Sequence, residues 1–195
     1  MVVLPKQLRH LFIPSVFLNS KPLKYVAEHK FLGVFISNDL SDNCDIKRHV
    51  RALYGRGNML VSKFKFCSPE VKNCLFQSYC TNIYGGPLWC KYTTSDYKKA
   101  VVAFNDVYRT LFSIKRGESM SAIYVRNNVQ SLNTTIRRLS YGLKCRLACS
   151  ENIYVRCIVN SLFHMSHSSL TKLWNRNLYV SGLYGANKAM TSAKF

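Results

Sequence analysis

Hydrophobic positions fall into two regimes along the chain. The first forty residues carry them in short runs broken by turn formers: 16–18 and 23–26 are apolar segments separated by "NSKP", and 31–36 supplies a third. In "EHKFLGVFISNDL" two apolar clusters flank Gly33, which predicts a strand kinked at the glycine and followed by an acidic helix start. From Asp42 the period becomes helical. Ile46, Val50, Leu53, Leu60, Val61 and Phe64 recur at spacings of three and four, with Lys47, Arg48, Arg51 and Arg56 on other faces. Gly55 and Gly57 each lower helix propensity by about 1 kcal/mol relative to Ala, so a bend or break is expected near them.

Ser68 followed by Pro69 predicts a capped second helix through Val71, Leu75, Tyr79 and Ile83, stopped by "GGP". A third carries Tyr97, Ala100, Val101, Phe104, Val107, Tyr108, Leu111 and Phe112 on one stripe, with Lys115, Arg116 and Gly117 as its last turn and cap. Short helices are expected at 119–126, 134–149 and 151–163. The fold class that follows is mainly α, with a small N-terminal antiparallel β element. Its divisions are 1–40 for the β element, 41–175 for the helical body and 176–195 for a frayed tail. Two or three strands alone are marginal, so the β element needs a surface to lie on, within this chain or upstream of it.

Charge changes the picture most. Against 28 Lys and Arg stand 9 Asp and Glu, a formal net charge of +19 in 195 residues. Such an excess points to a polyanionic partner, because Lys and Arg that neutralise phosphates release condensed counterions. No apolar run approaches the ~18 residues of a membrane span, and the N-terminus lacks the order of a secretory signal. An intracellular chain with its 8 cysteines as thiols is therefore expected, with Cys74 and Cys80 serving as small hydrophobes.

Four stretches then occur in a telling order: "VFLNSKPLKYVAEHKFLGVFIS", "LFQSYCTNIYGGPLW", "FNDVYRTLFSIKRGESMS" and "IRRLSYGLKCRLACSEN". Together, over about 16–161, they resemble the region after the polymerase active site in reverse transcriptases of non-LTR retrotransposons, the LINE-like elements. The resemblance implies that Phe31, Leu32 and Gly33 belong to a primer-grip-like strand pair at the end of the palm. It implies that the helices after them are a thumb-like body clasping template and primer, an RNA/DNA hybrid or RNA, in the cytoplasm or nucleus. It also leaves room for a missing palm and fingers chain as partner.

The departures bear on chemistry. Polymerase carboxylates hold two metal ions, one pair coming from an adjacent Asp–Asp turn, whereas the aspartates here are Asp39, Asp42, Asp45, Asp96 and Asp106, none adjacent to another acid. No catalytic residue, metal or cofactor is therefore assigned. The acidic cluster Asp39, Asp42 and Asp45 is explained by a helix N-terminus, and lacks the Gly and terminal Glu of a calcium loop. Cys145, Cys149, Cys157, His164 and His167 include zinc-type ligands, but their spacing and order depart from a zinc knuckle.

The residues expected to meet phosphates are Lys47, Arg48 and Arg51 on the first helix, Lys63 and Lys65 in "KFKF", and Arg137, Arg138, Lys144 and Arg146. Phe64, Phe66 and Tyr92 are interleaved with lysines, an arrangement that suits either base stacking or the core. Two other readings stay open: a relic or helical protein-interaction module, and one subunit of a split polymerase.

Overall fold

The structure, a computed structural model, describes residues 14–164 and 171–172. The tail expected at 176–195, His167 and the side chain of His164 lie outside the described residues.

Two hairpins open the described chain. β1 (Phe17–Leu18) pairs antiparallel with β2 (Lys21–Pro22) across Asn19 and Ser20, whose φ values are 48° and 62°. β3 (Glu28–Phe31) pairs with β4 (Val34–Ser37) across Leu32 and Gly33, at 46° and 83°. Two successive left-handed residues form the tight turn whose twist matches that of paired strands. The strand expected at 23–26 is thus displaced into Lys21–Pro22. The single kinked strand expected at 31–36 is instead a reversal, because both Leu32 and Gly33 turn left-handed.

α1 (Asn43–Lys63) runs unbroken for 21 residues, so its glycines do not break it. Gly57 is where α1 meets α3 (Thr94–Phe112): a Cβ there would stand 2.7 Å from Cγ1 of Val107. Gly55 faces open space, with nothing within 4 Å. Burial against α3 therefore offsets the weak helix propensity of this turn.

α2 (Pro69–Cys80) starts at Ser68, whose hydroxyl accepts from the Val71 N–H at 3.5 Å, and ends before the expected Ile83. The chain then turns at Gly85, φ +86°, into a single 3-10 turn, Gly86–Leu88, that leaves Ile83 buried. Thr93 caps α3 by accepting from the Asp96 N–H at 3.2 Å. That helix closes at left-handed Ser113, with the Ile114 N–H on the Arg109 carbonyl at 2.9 Å, rather than at Gly117 as expected. α4 (Met120–Arg126), α5 (Leu132–Ala148) and α6 (Ile153–His164) follow near their expected places.

The core lies between α1, α2, α3 and the segments after them. Ile46, Leu53, Leu60, Phe76, Ala100, Phe104 and Tyr108 are fully buried. Phe76 meets Phe104 and Tyr108 edge to face at 5.1 and 4.8 Å, and Tyr108 meets Tyr124 at 5.2 Å. Each large apolar side chain so buried is worth about 1.5–3 kcal/mol, which explains why the α1 and α3 stripes dominate the fold. Cys80 is part of this core, whereas Cys74 is exposed, one helical face away.

The β element is hydrogen-bonded to the helical body through β4. Asp42 accepts from the Cys90 and Lys91 N–H groups at 2.8 and 2.6 Å, and Asp45 accepts from the Phe35 N–H of β4 at 3.2 Å. No helix among the described residues is long and apolar enough to cross a membrane.

Candidate nucleic-acid interface

The small residues on α3 let α1 approach it closely: Ala100 and Ala103 are fully buried beside Phe104. Toward the N-terminal ends of both helices the seam opens into a surface groove of about 660 Å³, lined by Val50, Tyr54, Thr94, Ser95, Lys98, Lys99 and Val102. Lys47 lies at its edge, its ammonium 3.9 Å from Asp96, and Arg51 is exposed one turn farther along α1. Asp96 also accepts from Lys99 at 3.0 Å; that hydrogen bond, with the Lys47 and Lys99 charges, holds its carboxyl below the usual range. Asp96 thus serves two of the four cations, and a second acid, Asp106, accepts from the Tyr54 hydroxyl at 3.3 Å; against these two carboxylates the four cations leave a positive excess. The sequence pattern does not mark Lys98 and Lys99, because in "YKKA" the apolar stripe of α3 is the dominant signal. Their signal was their place beside the exposed start of a helix.

Arg48 behaves differently from its neighbours. Its Nε donates to Asp45 at 2.7 Å and its Nη2 to the Tyr84 carbonyl at 3.4 Å. Asp45 is 1% exposed and accepts at 2.9 Å from the indole of buried Trp89 as well. Arg48 is therefore a structural partner of a buried acid, and its guanidinium is turned from the groove. Beside it His49 is buried edge to face with Trp89 at 5.6 Å, its Nε2 without a hydrogen-bond partner among the described residues. Desolvation, with the Arg56 and Arg48 charges, pushes its pKa down to about 4.

The acidic cluster also resolves into separate roles. Asp39 accepts from the Ser41 N–H at 3.0 Å, Asp42 reaches across to the 90–91 backbone instead of capping its own helix, and Asp45 is sealed under Trp89. Burial raises the Asp42 carboxyl, against the two backbone N–H groups that lower it. Among the described residues no group of three or more His, Cys, Asp or Glu is arranged to hold a metal ion, and Cys149 and Cys157 are simply exposed.

The other expected cations do not gather at the groove. Lys63 and Lys65 are exposed at the far end of α1, and the 16 residues from Lys47 to Lys63 correspond to about 24 Å of helix. On α5, Arg138 and Arg146 are exposed and Arg137 is half-buried, while Lys144 is 8% exposed, with burial lowering its pKa. Lys144 therefore does not belong to the charged face expected of it. The first turn of α5 is tied to α3 by Tyr97, whose hydroxyl donates to Asn133 at 2.6 Å.

In the second hairpin, Phe31 and Leu32 form an exposed tip, and Tyr84 supports it by donating to the Leu32 carbonyl at 2.9 Å. A Cβ on Gly33 would come within 3.1 Å of the Tyr84 ring, so the glycine serves both the turn and this packing. Of the interleaved aromatics, Phe64 packs against the core, Tyr92 stacks on Tyr97 at 4.9 Å, and Phe66 is 95% exposed.

Comparison of the chain with protein-family profiles, with curated proteins and with solved structures finds no match.

Proposed function

We propose that this chain binds nucleic acid through phosphate contacts, as the palm-end and thumb-like part of a LINE-like reverse transcriptase would, inside the cell and without catalysing a reaction itself. The observation that carries the reading is that Lys47, Lys98 and Lys99 gather around one groove, with Arg51 exposed on the next turn of α1, where Asp96 and Asp106 are the neighbouring acids. Cations aligned on two helices neutralise successive phosphates, release their counterions and read no base edges. Template–primer hybrid or RNA is the partner class, and Arg138 and Arg146 extend the positive surface onto α5.

The test is fluorescence anisotropy of labelled RNA/DNA hybrid against salt. Binding should weaken linearly in log salt, and replacing Lys47, Arg51, Lys98 and Lys99 by Ala should reduce the slope by about 3–4 if each meets one phosphate. An unchanged slope in the fourfold variant would remove the groove from the reading.

A second reading has its own observation. Phe17, Leu18, Phe31 and Leu32 are each more than half exposed on the two hairpins, which favours a protein-docking module. A monomer by sedimentation, binding hybrid with the salt dependence above, would count against it.

A further inference from the structure

The turn between α1 and α2 exposes an aromatic ring that the fold does not use. Phe66 is 95% exposed, the most exposed large hydrophobic side chain among the described residues. Its position is set by an ordered turn: the Phe64 N–H bonds the Leu60 carbonyl at 2.9 Å, the Cys67 N–H bonds the Phe64 carbonyl at 3.2 Å, and Ser68 caps the next helix. Phe64 fills the core from this turn, so Phe66, two residues on, points outward. Lys63 and Lys65 precede it, both exposed, and the Lys65 ammonium lies 5.6 Å from the ring centroid.

We infer that Phe66, with Lys63 and Lys65, is a stacking site for an unpaired nucleotide base whose neighbouring phosphates meet the two ammoniums. The inference rests on the nucleic-acid reading above and extends it from duplex to single strand. Every base offers a π-face, so an exposed ring beside a cation holds any unpaired base without reading its edge. The chemistry of the turn supports that ligand over others. A lone ring buries too little apolar area to hold the chain on a lipid surface. A second copy of a chain carrying +19 is repelled by charge.

The test measures binding of a short labelled single-stranded RNA, the matching blunt RNA/DNA hybrid and an abasic strand of equal length to the full chain. Phe66→Ala should weaken the single-strand complex about tenfold and leave the hybrid unchanged, while Phe66→Tyr should retain wild-type binding. The abasic strand should bind wild-type protein no better than the normal strand binds Phe66→Ala. Equal effects on all three nucleic acids, or none on the single strand while hybrid still binds, would overturn the stacking site alone. Absence of binding to any strand would overturn the proposed function with it. Loss of binding to anionic vesicles in Phe66→Ala, with RNA binding intact, would reassign the ring to a membrane surface. Circular dichroism of each variant confirms folding, which the exposure of the ring leaves unaffected.

Discussion

Trp89 donates its indole N–H to Asp45 Oδ2 at 2.9 Å, joining the start of α1 to the segment after α2 across 44 positions of sequence. The same carboxylate accepts from the Arg48 guanidinium and the Phe35 N–H. A buried acid satisfied in this way fixes three parts of the fold relative to one another.

Replacing Asp45 by Ala would leave a buried indole N–H, a backbone N–H and a half-buried guanidinium without their acceptor. Breaking a buried charged pair from one side costs about 3–5 kcal/mol. Urea unfolding of Asp45→Ala should show a loss of that size, and a loss under about 1 kcal/mol would mean that Trp89 and Arg48 find other partners.

His49 makes stability depend on acid. Its folded pKa of about 4 lies below the ordinary 6.5, so the unfolded chain binds the proton first as pH falls. The stability is complete above pH 6.5, declines between 6.5 and 4, and has lost about 3 kcal/mol from this group by pH 4. Asp42, raised by burial above 3.8, opposes the trend at the acid end of this window. Denaturant midpoints should fall over this window in the wild type and markedly less in His49→Leu; parallel curves would exclude His49 as the cause.

The two glycines of α1 should respond in opposite directions. Gly55→Ala meets open space and should stabilise by roughly 0.5–1 kcal/mol, the gain in helix propensity. Gly57→Ala brings a methyl group to 2.7 Å from Val107 and should destabilise by about 1–2 kcal/mol after that gain is subtracted from the strain. In a Val107→Ala background the Gly57→Ala penalty should shrink. If it is unchanged there, crowding by Val107 is not the reason for the glycine.

Arg48 and Arg51, one turn apart in sequence, should separate stability from binding. Arg51→Ala should lower the salt slope of hybrid binding by about 1 and leave the unfolding midpoint unchanged. Arg48→Ala should lower the midpoint, because it unpairs Asp45, and leave the slope unaltered. The reverse assignment would show that the guanidinium of Arg48 leaves Asp45 when nucleic acid binds.

Local patterning made much of this protein legible. The three- and four-residue apolar period of α1 and α3, the Ser68–Pro69 start of α2 and the charge of +19 were all readable, because each depends on neighbours along the chain. Only tertiary structure decided which polar residues go inside. Nothing local distinguishes Asp45 from Asp42, or Arg48 from Arg51; the difference is the indole of Trp89 waiting in the folded state. Gly57 reads as a helix breaker until Val107 lies against it, and Gly33 as a kink until Leu32 also turns left-handed. The groove likewise depends on α1 and α3 packing side by side, which brings Lys47 and Lys99 to a shared carboxylate from distant stretches of sequence. Periodicity reports a residue's place on its own helix; the packing of one helix on another determines what it meets there.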